Sequence, residues 1–147
     1  MALAKFRSRS DRAEPADPQV SDFLDGFSIE VMPRTAAKVD DFRAILPIGT
    51  RVYIAHIEGT SIEEMVATAR RLSSDGFRVM PHFPARIIKD EAMLDEWVAR
   101  YQGEAGVEDA LVLAGGVASP AGEFDSSMQL LESGAFDRAG FKHLHVA

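Results

Sequence analysis

Several short clusters hold the residue types that do chemistry: Glu30 in Phe27-Ser28-Ile29-Glu30-Val31-Met32, His56 with Glu58, His82 with Arg86, the pair Gly115-Gly116, and His143 with His145. Side chains alternate along a strand, so Phe27, Ile29 and Val31 share one side, and Ser28, Glu30 and Met32 the other. Glu30 is therefore expected as a carboxyl group inside a buried strand. An acid with little solvent around it is suited to hold a proton and deliver it to a substrate. His82 suits contact with a planar ligand or a place in the core. Gly115 and Gly116 form a tight turn or let a ligand approach the backbone, because neither carries a Cβ. His143 and His145 fall on one face of a strand, but no carboxylate cluster completes a ligand set at metal spacing, so no metal site is expected. Tyr53 and His56 are left outside the candidate set.

The elements that position these residues alternate. An apolar strand over residues 27–32 is closed by Pro33, and Thr35 is expected to open a helix with Val39, Phe42 and Ile45 on one stripe, ended by Pro47 and Gly49. A second strand over 51–57 leads to Thr60-Ser61-Ile62-Glu63, a capping pattern ahead of a helix with Ile62, Met65, Val66, Ala69 and Leu72 inward. The third strand, 77–83, ends in prolines. Asp90 then caps a helix whose stripe is Leu94, Trp97, Val98 and Tyr101. A fourth strand over 110–114 runs into Gly115-Gly116, a helix is expected over 123–132 with Met128 and Leu131 inward, and residues 142–147 begin a fifth strand. Val52, Ile54, Leu111 and Leu113 suggest strands that are apolar on both faces.

Composition limits the classes. A chain of 147 residues, 46% hydrophobic and 27% charged, builds one core. The net charge of −7 opposes a nucleic acid partner. The absence of cysteine excludes disulfides and thiolate chemistry. No apolar run approaches a membrane span and no signal-peptide core is present, which gives no membrane partner and a cytoplasmic expectation. Residues 1–26 read as a polar, disordered arm with a short helical turn around 20–24, and residues 27–147 as the folded part.

Strict strand and helix alternation predicts right-handed crossovers and a parallel sheet. Neither G-x-G-x-x-G nor a P-loop is present, and the polar residues gather where strands end, the pattern of a (βα) barrel. The expected fold is α/β, with (βα) repeats of TIM-barrel type and about four units plus a fifth strand.

The motifs resemble those of the methylenetetrahydrofolate reductase family. Ser28-Ile29-Glu30-Val31-Met32-Pro33 is similar to that family's F-E-F-F-P-P strand, Pro81-His82-Phe83 to its P-H-L, Leu111-Val112-Leu113-Ala114-Gly115-Gly116 to its A-L-R-G-D, and Phe124-Asp125-Ser126-Ser127 to its Y-A-S-D-L, in the same order over residues 27–147. The resemblance implies hydride transfer from NAD(P)H through FAD to 5,10-methylenetetrahydrofolate, giving 5-methyltetrahydrofolate. It makes Glu30 the proton donor and places His82, Leu113, Gly115 and Phe124 against the cofactor. The departures are specific: Ala114 and Gly116 stand where the family carries Arg and Asp, which removes a cation for the flavin phosphates and an acid near flavin and folate. The chain alone is thus expected to hold little FAD. The resemblance covers the N-terminal part of a barrel, so the partner is expected to be a second copy or a missing C-terminal half. The alternative is a flavin-independent folate-binding or one-carbon transfer protein, or an inactive half barrel.

Overall fold

The computed structural model describes residues 18–147. The disordered arm expected for residues 1–17 lies outside them. Residues Pro18–Phe23 form a short helix, α1, with Val20 and Phe23 exposed.

Five strands follow: β1 (Ser28–Val31), β2 (Arg51–Ile54), β3 (Arg78–Pro84), β4 (Asp109–Leu113) and β5 (His143–Val146). They pair in parallel, in chain order, as one sheet. Crossovers of one hand between strands laid down in one direction put all connecting helices on the same face. The order never reverses, so the sheet lacks the switch point of a doubly wound fold. The α/β fold of successive parallel βα units is the one expected.

Helix α3 (Ile62–Ser74) starts at Ser61, whose Oγ accepts from the Glu64 backbone N–H at 3.3 Å while the Ser61 N–H donates to the Glu64 carboxylate at 3.2 Å. This closes a capping box. Its stripe of Met65, Val66, Ala69 and Leu72 is buried. Helix α4 (Glu91–Ala105) is capped by Asp90, which accepts from the Met93 N–H at 2.8 Å, and buries Leu94, Trp97, Val98 and Tyr101. Both helices cover the sheet face that carries Val52, Ile54, Val79, Phe83, Ala110 and Val112, and these side chains form the core.

The opposite face keeps the expected apolar pair Leu111 and Leu113 on β4, but on β2 it carries Arg51 and Tyr53 and is not apolar as expected. Register places Ser28, Arg51 and Arg78 in one row, and Glu30, Tyr53, Met80, Asp109 and His143 in the next; His82, Leu111 and His145 lie beyond them. This face curls inward. Three inter-strand spacings of about 4.8 Å would separate β2 from β5 by roughly 14 Å in a flat sheet, yet the Tyr53 hydroxyl lies 2.8 Å from Nδ1 of His145. The result is a trough with Met80 fully buried at its floor.

Two expected helices are shorter. Between β1 and β2, the chain forms only α2 (Pro33–Ala36) and a 3-10 turn at Phe42–Ala44. The carbonyls of Ala36, Val39 and Asp40, which a continuing helix would use, accept instead from the Arg71 guanidinium. Asp41 starts the new turn by accepting from the Arg43 N–H at 2.9 Å. Thr35 lies inside α2, where its Oγ1 accepts from the Met32 N–H at 3.0 Å, and Ile45 is exposed. After β4, the helix is α5 (Ser127–Glu132) rather than 123–132. Ala121 and Glu123 donate their N–H groups to the carbonyls of Arg86 and Lys89, which holds this stretch extended. Met128 is consequently exposed and Leu130 is the buried anchor. The small helix α6 (Ala135–Arg138) was not expected; it buries Phe136 against Phe83.

Candidate functional site

The trough gathers side chains from every strand. Glu30 on β1 brings Oε2 within 3.3 Å of Nε2 of His82 on β3. The Tyr53 ring meets the His82 ring edge-on, with centroids 6.2 Å apart, and its hydroxyl engages His145. Alternation explains the grouping, because these residues occupy the non-helical face of their strands. The expected burial of Glu30 does not hold: its side chain is 59% exposed. It sits on an edge strand, at the rim of the trough. His82 carries the burial instead. Desolvation holds its pKa below the ordinary 6.5, outweighing the upward pull of the Glu30 carboxylate.

Beyond the C-terminal end of β2, His56 is buried and stacks on Trp97 with centroids 4.7 Å apart. Its Nε2 lies 3.0 Å from the Thr60 carbonyl, an acceptor only, so Nε2 carries the proton and donates it. Nδ1 is then a buried lone pair without a partner among the described residues. Burial lowers the His56 pKa against the rise from Thr60, and His82 adds a smaller lowering. Both imidazoles are therefore neutral at pH 7.

His56 and the ends of β3 and β4 border an open cleft of about 680 Å³, lined among others by Pro84, Ile87, Leu113 and Gly115. Gly115 has φ +97°, and a Cβ there would lie 3.1 Å from Cβ of Pro84. Leu113 and Gly115 thus occupy the cleft wall, and Glu30 and His82 meet in the trough beside it. Phe124 is elsewhere: it is 5% exposed and belongs to the core. His143 binds Asp109 through Nδ1 at 2.8 Å, and Asp109 also accepts from Arg78 at 3.1 Å. Among the described residues, no cluster of His, Asp or Glu could hold a metal.

The cleft does not suit the diphosphate of FAD. Glu58 is the charged residue in its lining, and it is an acid. Arg86, the cation nearest in sequence to the prolines of β3, is committed: its Nε donates to the Asp125 carboxylate at 2.8 Å and its Nη1 to the Val117 carbonyl at 3.3 Å. It fastens the loop after β4 instead of facing a phosphate.

Sequence reasoning left out Tyr53 and His56. Tyr53 was within reach of the alternation rule, since it pairs in register with Glu30 and shares its face. His56 had a weaker signal, an imidazole just past a strand end. Among the described residues, no helix is long and apolar enough to cross a membrane. A comparison of the chain with models of known protein families finds no match.

Proposed function

We propose that the chain binds a reduced folate in the trough and acts on its one-carbon unit, as a protein resembling methylenetetrahydrofolate reductase. The observation that carries this reading is the approach of Glu30 and His82, two residues from separate motifs, to 3.3 Å, with Glu30 exposed and His82 buried. In the reductive reaction, Glu30 donates a proton to N10 of 5,10-methylenetetrahydrofolate, the N10–methylene bond breaks, and an iminium forms at N5. A hydride from NAD(P)H then reduces that carbon to the N5-methyl group. His82 Nε2 lies 3.3 Å from the carboxylate without hydrogen-bond geometry and is a buried donor or acceptor left for the substrate, while the exposed side of Glu30 is open to water. The acidic lining of the cleft favours the flavin-independent form of this reading, so no step is assigned to FAD. Among the described residues, the edge strands β1 and β5 each have a single neighbour, and a second copy of the chain is the proposed cover.

The test is isothermal titration of 5-methyltetrahydrofolate into the full chain, together with NAD(P)H oxidation driven by 5,10-methylenetetrahydrofolate. Glu30→Gln is expected to keep folate binding and to slow turnover by about 10²- to 10⁴-fold, the usual contribution of a general acid. Undiminished turnover in Glu30→Gln removes the acid from its role, and failure of the wild-type chain to bind any reduced folate overturns the whole reading. Folate binding without turnover identifies a one-carbon carrier.

A further inference from the structure

At the other end of the strands, a second cleft of about 540 Å³ lies between the α1–β1 loop and the starts of β2 and β3. We infer that it binds a small organic oxyanion, with a carboxylate or phosphate head on Arg51 and Arg78 and an apolar body against Leu24, Phe27 and Ile48. This inference does not rest on the folate reading.

Arg51 and Arg78 are register partners on adjacent strands. Like charges set directly opposite each other destabilise a sheet unless an anion compensates them. Arg78 has one in Asp109, at 3.1 Å. Arg51 has none among the described residues, although the chain carries 23 acidic side chains. Its Nε is enclosed without a hydrogen-bond partner among the described residues. Asp25 lines the same cleft but forms no ion pair with either arginine. Arg51 thus has no counter-charge among the described residues, and a planar or tetrahedral oxyanion in the cleft matches the donors at the outer end of its guanidinium, the Nε being enclosed.

The wall supplies a separate observation. Leu24, Phe27 and Ile48 are 49%, 37% and 64% exposed, and all three border this cleft. Apolar side chains gathered at the rim of a concave cationic floor recognise a molecule with an apolar body and a charged head. The bare ion would use only half of the site.

Phenyl phosphate and inorganic phosphate, titrated separately into the full chain by calorimetry, test the inference. Phenyl phosphate is expected to bind one-to-one and more tightly than inorganic phosphate. Arg51→Gln should weaken both by about tenfold to a hundredfold, the value of a charge-assisted hydrogen bond, and Arg51→Lys should restore part of the loss. Ile48→Ser, at an exposed position that folding tolerates, should weaken phenyl phosphate and leave inorganic phosphate unchanged; it carries the test if circular dichroism shows Arg51→Gln unfolded. The inference falls if neither probe binds at millimolar concentration, or if Arg51→Gln binds as the wild type does. It also falls if sedimentation shows self-association that Arg51→Gln abolishes, since the arginines would then take a carboxylate from a second copy.

Discussion

Replacing Gly115 by alanine, with Gly116→Ala beside it, tests how β4 closes the wall of the upper cleft. Gly115 has φ +97°, where an L side chain is strained, and the new Cβ would press on Cβ of Pro84 at 3.1 Å. Proline cannot swing away, because its ring is fixed to the backbone of β3. A forced backbone conformation of this kind costs about 1–3 kcal/mol, and the contact adds to it, so a loss of about 2–4 kcal/mol is expected. For a chain of this length that corresponds to a fall in Tm of roughly 5–15 °C. Gly116 has an ordinary φ and nothing within 4 Å of its projected Cβ. Alanine there should be neutral within about 0.5 kcal/mol, or stabilising by about 0.4–1 kcal/mol through reduced freedom of the unfolded chain. Urea unfolding gives both midpoints, and the m-values should stay unchanged. Both glycines line the cleft, but only Gly115 packs against Pro84, so folate binding should weaken more in Gly115→Ala than in Gly116→Ala. Equal losses in the two variants, or a larger loss in Gly116→Ala, would refute the reasoning.

Tyr101 is fully buried with no partner for its hydroxyl among the described residues, so Tyr101→Phe is expected to stabilise the fold by about 1–2 kcal/mol. Burial also raises the Tyr101 pKa above the ordinary 10.0, so the unfolded chain loses this proton first and the wild type weakens as pH rises past that value; the advantage of Tyr101→Phe should therefore widen in alkaline denaturation series, and a constant gap contradicts the assignment. His56 and His82 have folded pKa values below 6.5, so the unfolded state binds more protons and stability is lost as pH falls through 6.5, a loss that His56→Gln/His82→Gln should flatten in unfolding curves across that range. Arg71→Ala leaves three carbonyls and the Phe42 ring face without their cation, and should cost about 2–4 kcal/mol, with hydrogen-exchange protection lost first over residues 33–45.

The parts of the fold that were legible are those where a local signal and a long apolar stripe agree. Asp90 caps α4 where expected, and α3 starts one residue later than the Thr60-to-Glu63 pattern, on Ser61 with Glu64; stripes of four buried residues continue both. The segment after β1 misled because Val39, Phe42 and Ile45 keep helical spacing while a residue remote in sequence, Arg71, takes the carbonyls. A periodicity argument contains no such competitor. The segment before α5 misled for the same reason: its backbone is claimed by Arg86 and Lys89. At the site, alternation correctly separated Glu30 from Ile29 and Val31, but it could not give the depth of either face. Curvature decides that. An edge strand leaves Glu30 in solvent while Met80, on the middle strand of the same face, is fully enclosed.

That difference in depth bears on how the site would work. His82 is already stripped of water, whereas Glu30, 3.3 Å away, stands in it. A carboxylate open to solvent has water as its hydrogen-bond partner, and that water must leave before a ligand nitrogen can take its place. A flat ligand laid in the trough would cover the edge strand and remove that water, so the binding event itself would place Glu30 in the low-dielectric surroundings that a general acid needs. Tyr53 and His145, joined across two intervening strands at 2.8 Å, brace the trough from the other side. Their bond holds the curl, and the curl sets the distance between β1 and the cleft wall formed by Leu113 and Gly115. The acid, the imidazole and the cleft therefore depend on one property of the sheet: its curvature away from the face that α3 and α4 cover.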